Sequence, residues 1–232
     1  MPRSYKICPL KTLDKEKIKE EPFVFGAQTF FEEVEKPPQT SISLARDSVK
    51  IEDFKKYIIE HEMEEQTIGR VYGRPFTAYI RKGVIEGFIS DKMALTLLCG
   101  KKRDVLDFCK YDRKLNEFKF NTVSVDMKKL LAMLPNVKGV WFSFDKGDIT
   151  ASALMGHNVE MTQDFKHFKA MGDISTLSFL FEKDGNLHPI MITEDGTVVT
   201  QANYKERTDE IALVLEVKSA LLDSIITVDN EK

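Results

Sequence analysis

Between Phe118 and Gln201 the sequence spells an ordered succession of strands, tight turns and two short helices, and this run constrains the fold more than any other feature. Residues 137–144 alternate, with Val140, Phe142 and Phe144 on one face and Trp141 and Ser143 on the other, the period of a half-buried strand. Asp145-Lys146-Gly147-Asp148 supplies a turn, and 149–155 reads as the returning strand of a hairpin. Ahead of it, 118–123 reads as a strand and Ser124 as the cap of a helix over 125–134. That helix carries Met127, Leu130, Leu131 and Leu134 on one side, Lys128 and Lys129 on the other, and stops at Pro135-Asn136. Behind the hairpin, 163–170 reads as a short helix with Phe165 and Phe168 inward and Lys166 and Lys169 outward. Strands follow at 174–181, 187–193 and 197–201, around Asp184-Gly185-Asn186 and Asp195-Gly196, with Pro189 marking a sheet edge or a bulge.

The flanking segments read less regularly. Residues 1–39, with the charged stretch 14–21 and the Pro37-Pro38 break, read as an N-terminal arm or linker. A first half follows over 40–112. Ser48 caps an expected helix carrying Ile51, Phe54, Tyr57, Ile58 and His61 that ends before Gly69, and His61 continues its apolar stripe as a packing residue. Strands at 76–81 and 84–89 flank Lys82-Gly83 as a hairpin, and Asp91 caps a helix through Cys99. Lys101, Lys102 and Arg103 open a further helix over 101–111, where the positive end of the helix dipole favours an anion rather than three cations. The second half, 113–232, ends in a long apolar helix over 209–227, a deeply packed element or a subunit contact. The expected class is α+β: antiparallel sheets of hairpins, short helices on one face, and a long C-terminal helix.

Charge is distributed unevenly. The net charge of −3 hides a block of net +6 over 67–119 between segments of net −6 over 14–66 and 120–232. Such a block suits an anionic partner, or an unevenly charged solvated surface. Cys8, Cys99 and Cys109 are odd in number and form no CxxC, so the expectation is reduced thiols in the cytoplasm, with no metal and no cofactor. No apolar run approaches the ~18 residues of a membrane-spanning helix.

The motifs of catalysis are missing: no nucleophile elbow, no GxxxxGK[ST] and no GxGxxG occurs. His157, Asp148 and Asp173 are the residues that an enzyme of unrecognised type would use, although the acids at 145, 148, 184 and 195 are explained as turn formers. Arg70, Tyr72, Arg74, Phe76, Tyr79, Arg81 and Lys82 interleave cations with aromatics, a pattern of nucleic-acid surfaces and equally of half-buried strands.

The order strand, lysine-bearing helix, then the hairpin from Lys138 to Gly156, the helical stretch Phe165–Ala170 and the strands from Thr176 to Ile192 resembles the second half of a DNA sliding clamp, the processivity-factor family. The likeness spans 118–201; the first half matches poorly, the second helix is short, and a C-terminal helix is foreign to the family. The resemblance implies a non-enzymatic, homo-oligomeric ring in DNA replication whose basic helices contact duplex phosphates without reading sequence. Lys128 and Lys129 would be the leading contacts, then Lys166 and Lys169, then Lys101, Lys102 and Arg103. The alternatives left open are a protein-interaction module using 1–39 and 205–232, and an enzyme.

Overall fold

The computed structural model describes residues 2–25, 38–47, 51, 53–111, 115–144, 149–201 and 204–229, with the backbone alone at 71, 74, 76 and 111. Strands take 52% of these residues and helices 22%, which corrects the expected α+β class to a sheet-rich antiparallel fold. The chain forms two compact units, residues 10–120 and residues 1–9 with 121–232. The first strand, β1 (Arg3–Leu13), contributes to both, so the segment expected to be an arm is a strand with Tyr5, Ile7 and Cys8 fully buried.

In the 10–120 unit, the end of β1 pairs with β7 (Phe118–Phe120). The other strands are β2 (Phe23–Phe25), β3 (Thr40–Leu44), β4 (Lys55–Val71), β5 (Arg74–Ser90) and β6 (Leu95–Cys99), ordered β6-β5-β4-β3-β2. β4 replaces the expected helix. Its residues Tyr57, Ile59, His61 and Met63 are all buried, a period-two series that completes its hydrogen bonding with β3 and β5. The same segment also satisfies helical spacing through Tyr57, Ile58 and His61, and strand pairing decides between the two patterns.

β5 runs straight through Lys82-Gly83, so the hairpin expected there lies elsewhere. The β4–β5 turn is Tyr72-Gly73, with φ of 48° and 81°, the two left-handed positions of a type I′ turn. β3 pairs only with Tyr57 to His61 of β4, and β6 only with Glu86 to Ser90 of β5. Beyond these registers β4 and β5 continue as a two-stranded ribbon, with Ile68 and Tyr72 exposed at its far end. The helix expected over 91–99 is a turn followed by β6, whose five residues are all buried. α1 (Lys102–Tyr111) packs on β4 and β5, its Phe108 ring 6.3 Å from that of Phe118.

The remaining elements are β8 (Thr122–Val125), α2 (Met127–Met133), β9 (Val137–Ser143), β10 (Ala151–Met155), α3 (Gln163–Met171), β11 (Asp173–Lys183), β12 (Asn186–Thr193), β13 (Thr197–Thr200), α4 (Arg207–Val217) and β14 (Ile226–Asp229). They form a sheet ordered β10-β9-β11-β12-β13-β1 and a small β14–β8 pair. The turn expected at 145–148 lies outside the described residues. The C-terminal helix is shorter than expected: α4 gives way to a π-helical turn, Lys218–Leu222, and the chain then pairs as β14 with β8. Asp126, not Ser124, caps α2.

Cross-strand partners share a face. Phe142, Leu177, Phe179, Ile190, Ile192, Val198 and Tyr5 therefore define one buried face, while Trp141, Thr176, Ser178, Met191 and Val199 on the other are only half-buried. Pro189 is accommodated inside the sheet because its carbonyl accepts from Gln201 N, past the end of β13. A residue's nitrogen and carbonyl point to the same side of a strand, so the missing N–H falls where the ladder is ending.

α4 is fastened to this sheet through a buried carboxylate. Glu210 accepts hydrogen bonds from Tyr5 Oη at 2.8 Å, Arg3 Nη1 at 2.7 Å and the Thr200 hydroxyl, and lies 3.5 Å from Arg207 Nη1. Burial alone would raise its carboxyl, but donation from Thr200, Arg3 and Tyr5 outweighs that and holds it below the ordinary glutamate range.

Candidate nucleic-acid interface

α2 begins where Asp126 accepts from Lys129 N at 3.1 Å, a capping bond that is the main cause of the Asp126 carboxyl lying below its ordinary range. Met127 and Leu130 are buried, which leaves Lys128 and Lys129 exposed on the opposite side. Lys129 turns back on its own cap, with Nζ 3.3 Å from Asp126 Oδ2, whereas Lys128 makes no ion pair among the described residues.

α3 is capped by Thr162, whose hydroxyl accepts from Phe165 N at 3.2 Å and donates to Val159 O at 2.8 Å. Phe165 and Phe168 lie with ring centroids 5.7 Å from Phe142, on the buried face of the sheet. Helical spacing then turns Lys166 and Lys169 outward, both exposed, with Lys169 Nζ 5.7 Å from the Phe165 ring centre. The four lysines of α2 and α3 thus share one unit and belong to helices packed on one sheet.

Lys101, Lys102 and Arg103 stand on the 10–120 unit, at the start of α1, and all three are exposed. Arg103 is engaged, its Nη1 3.2 Å from Glu65 Oε1. Glu65 also receives Arg81 Nε and Tyr79 Oη, and the Arg81 bond is the leading reason that its carboxyl is held below the ordinary range. Arg81 Nη2 bonds the buried Asp104 at 2.6 Å. Of the interleaved series noted in the sequence, Arg81 and Tyr79 therefore belong to an ion-pair network at the base of the ribbon, and Arg70 and Tyr72 are exposed toward its tip.

His61 holds a chain of polar groups: Nδ1 is 2.7 Å from the Thr40 hydroxyl and Nε2 is 3.0 Å from Asp107 Oδ2. The connectivity is that of a hydroxyl–imidazole–carboxylate relay, but Thr40 and His61 are each 1% exposed. A hydroxyl sealed in this way meets no substrate, so the chain ties α1 to β4 and β3 as a structural element. Of the residues named for an enzyme, His157 Nδ1 accepts from Lys138 Nζ at 2.6 Å in an exposed position, and Asp173 is exposed at the start of β11. Asp148 lies outside the described residues. Among the described residues no group of three or more His, Cys, Asp and Glu side chains is arranged to hold a metal ion, and no helix is long and apolar enough to cross a membrane.

The segments expected as protein contacts are largely spent on the fold. Beyond the buried start of β1, Ile211, Leu213, Val214 and Val217 of α4 are buried within the chain. Glu210, an acid in the first turn of α4, is the acceptor at the centre of a hydrogen-bond network, and only the strand order brings Tyr5, Thr200 and Arg3 to it. The chain matches no protein-family model and no curated protein.

Proposed function

We propose that this protein is a non-enzymatic DNA-associated factor that contacts duplex phosphates through the lysines of α2 and α3, without reading sequence and as a homo-oligomer, in the manner of a sliding clamp. The observation that carries this reading is the disposition of Lys128, Lys129, Lys166 and Lys169, all exposed on two short helices that pack by their apolar sides on one antiparallel sheet. Phosphate contacts of this kind gain affinity by releasing counterions and do not discriminate between bases. A protein of net charge −3 can bind duplex DNA in this way where the DNA-facing helices themselves present cations.

The test is fluorescence anisotropy with a labelled duplex across a salt series. Binding at roughly 50 mM salt is expected to weaken steeply as salt rises. The double variant Lys128→Ala/Lys129→Ala should make the slope of log K against log salt less negative by about 1.8, two phosphate contacts at ~0.9 each. Sedimentation of the free protein should report an oligomer. A monomer that shows no anisotropy change at low salt ends the proposal, and so does a salt slope that the double variant leaves unaltered.

A further inference from the structure

The 10–120 unit contains a cavity of about 710 Å³ that the preceding reading does not use. This is within the ~300–1,000 Å³ that pockets for small organic ligands occupy, and far more than a single inorganic anion fills. Five cationic side chains line it, Lys15, Lys17, Lys19, Arg46 and Lys55, against only two acids, Glu20 and Glu21. Three of the cations have partners: Lys15 with Asp91, Lys17 with Glu117 at 3.1 Å, and Arg46 with Glu20 at 3.5 Å. Lys19 and Lys55 are exposed and make no ion pair among the described residues. The cavity is therefore electropositive at its rim.

Its inner wall is different. Ile18 and Tyr57 are each 2% exposed and Leu44 is half-buried, which gives an apolar surface beneath the cations. Tyr57 carries the most informative atom. The side chain is buried and lines the cavity, yet its hydroxyl has no hydrogen-bond partner among the described residues. The hydroxyl therefore opens on the cavity, where it is available to donate to whatever occupies that space. Burial with no compensating bond also lifts the phenol above its ordinary range, so it remains a proton donor at neutral pH. An acceptor brought by a ligand into the cavity would satisfy it.

We propose that this cavity binds a nucleotide, with its phosphates between Lys19, Lys55 and Arg46 at the rim, its base against Ile18 and Leu44, and an acceptor of the base or sugar receiving the Tyr57 hydroxyl. A nucleotide joins the two chemistries that the cavity separates, a multiply charged anionic end and a flat, mostly apolar end that carries acceptors. In sequence the signal is faint: lysines alternate at 15, 17 and 19 in a charged stretch, and Ile18 is the single apolar residue among them.

Equilibrium dialysis of the full chain against radiolabelled ATP tests the assignment, with pyrophosphate and adenosine as partial ligands. ATP should bind saturably at one site per chain and more tightly than either partial ligand. Lys19→Ala/Lys55→Ala should weaken it roughly tenfold, and Tyr57→Phe, which keeps the ring in place, by roughly fivefold. Lys128→Ala/Lys129→Ala should leave ATP binding unaltered, which separates this site from the DNA reading, whose failure would not affect it. Absence of saturable binding up to roughly 1 mM ATP overturns the proposal. Pyrophosphate binding as tightly as ATP overturns the role of the apolar wall. Equal weakening by the Lys128/Lys129 and Lys19/Lys55 variants reduces the effect to diffuse attraction and overturns the site. Melting curves of each variant identify any loss that is due to unfolding.

Discussion

Replacing Glu210 by alanine should produce one of the largest losses of stability available from a single side chain in this protein. Glu210 and its partners Tyr5 and Thr200 are all 0% exposed. Removing the carboxylate takes the 2.8 Å acceptor from the buried Tyr5 hydroxyl, leaves the Thr200 hydroxyl only its longer bond to Arg3 O at 3.4 Å, at about 1–3 kcal/mol each, and takes a counter-charge from two guanidinium groups. Arg3 and Arg207 have side chains 43% and 24% exposed and recover part of their loss by hydration. The expected total is about 4 kcal/mol, within the ~3–5 kcal/mol typical of breaking a buried charged pair. For a chain of this length that corresponds to a fall in melting temperature of roughly 8–16 °C. Glu210→Gln keeps the volume and one acceptor oxygen, so its cost should be about half as large. Because the folded-state carboxyl lies below its unfolded value, its contribution is complete above the unfolded pKa of about 4.3 and disappears as pH falls through the folded value. The wild-type advantage over Glu210→Gln should therefore be full at pH ~7 and shrink below pH ~4. Urea titrations followed by far-ultraviolet circular dichroism at the two pH values measure both. An alanine variant within about 1 kcal/mol of wild type, or a gap from the glutamine variant that widens on acidification, would refute the assignment of Glu210 as an ionised buried acceptor.

Two further pairs of substitutions separate structural roles that look alike in sequence. His61→Phe preserves a ring of similar size but strands the buried Thr40 hydroxyl, and should cost about 1–3 kcal/mol by urea titration. Asp107→Asn, on a side chain 50% exposed, should cost less than about 1 kcal/mol; equal losses would mean that the imidazole–carboxylate bond joining α1 to β4 contributes as much as the buried Thr40 bond between β3 and β4. Gly196→Ala should cost about 2–4 kcal/mol, because φ is +77° and a Cβ would clash with Val123 Cγ2. Gly185→Ala, at φ +74° with open space around it, should cost only about 1 kcal/mol, and matching melting temperatures for the two variants would remove the clash from the explanation.

Local pattern was sufficient where a segment has one apolar face and a marked turn. The strands of β9 to β13 and the inward and outward sides of α2 and α3 follow from alternation, from the 3.6-residue period and from Asp184-Gly185 and Asp195-Gly196. It misled where two periods coexist. In β4 the apolar residues at 57, 58 and 61 satisfy a helix, those at 57, 59, 61 and 63 satisfy a strand, and only the neighbouring strands supply the backbone partners that choose between them. Lys82-Gly83 has turn composition, but β4 continues opposite it and the ladder runs on to Tyr72-Gly73.

The sequence by itself determined which residues of the short helices face solvent, because a helix that buries Leu130 or Phe165 must turn its lysines away. It could not determine what brings distant segments together. The network at Glu210 joins residues about two hundred positions apart, and the Tyr57 cavity takes its cations from the stretch before β2, from Arg46 just after β3 and from Lys55 at the start of β4. Such sites depend on strand order, and strand order is set by the total burial and backbone hydrogen bonding of the whole sheet, a quantity that no local window of sequence contains.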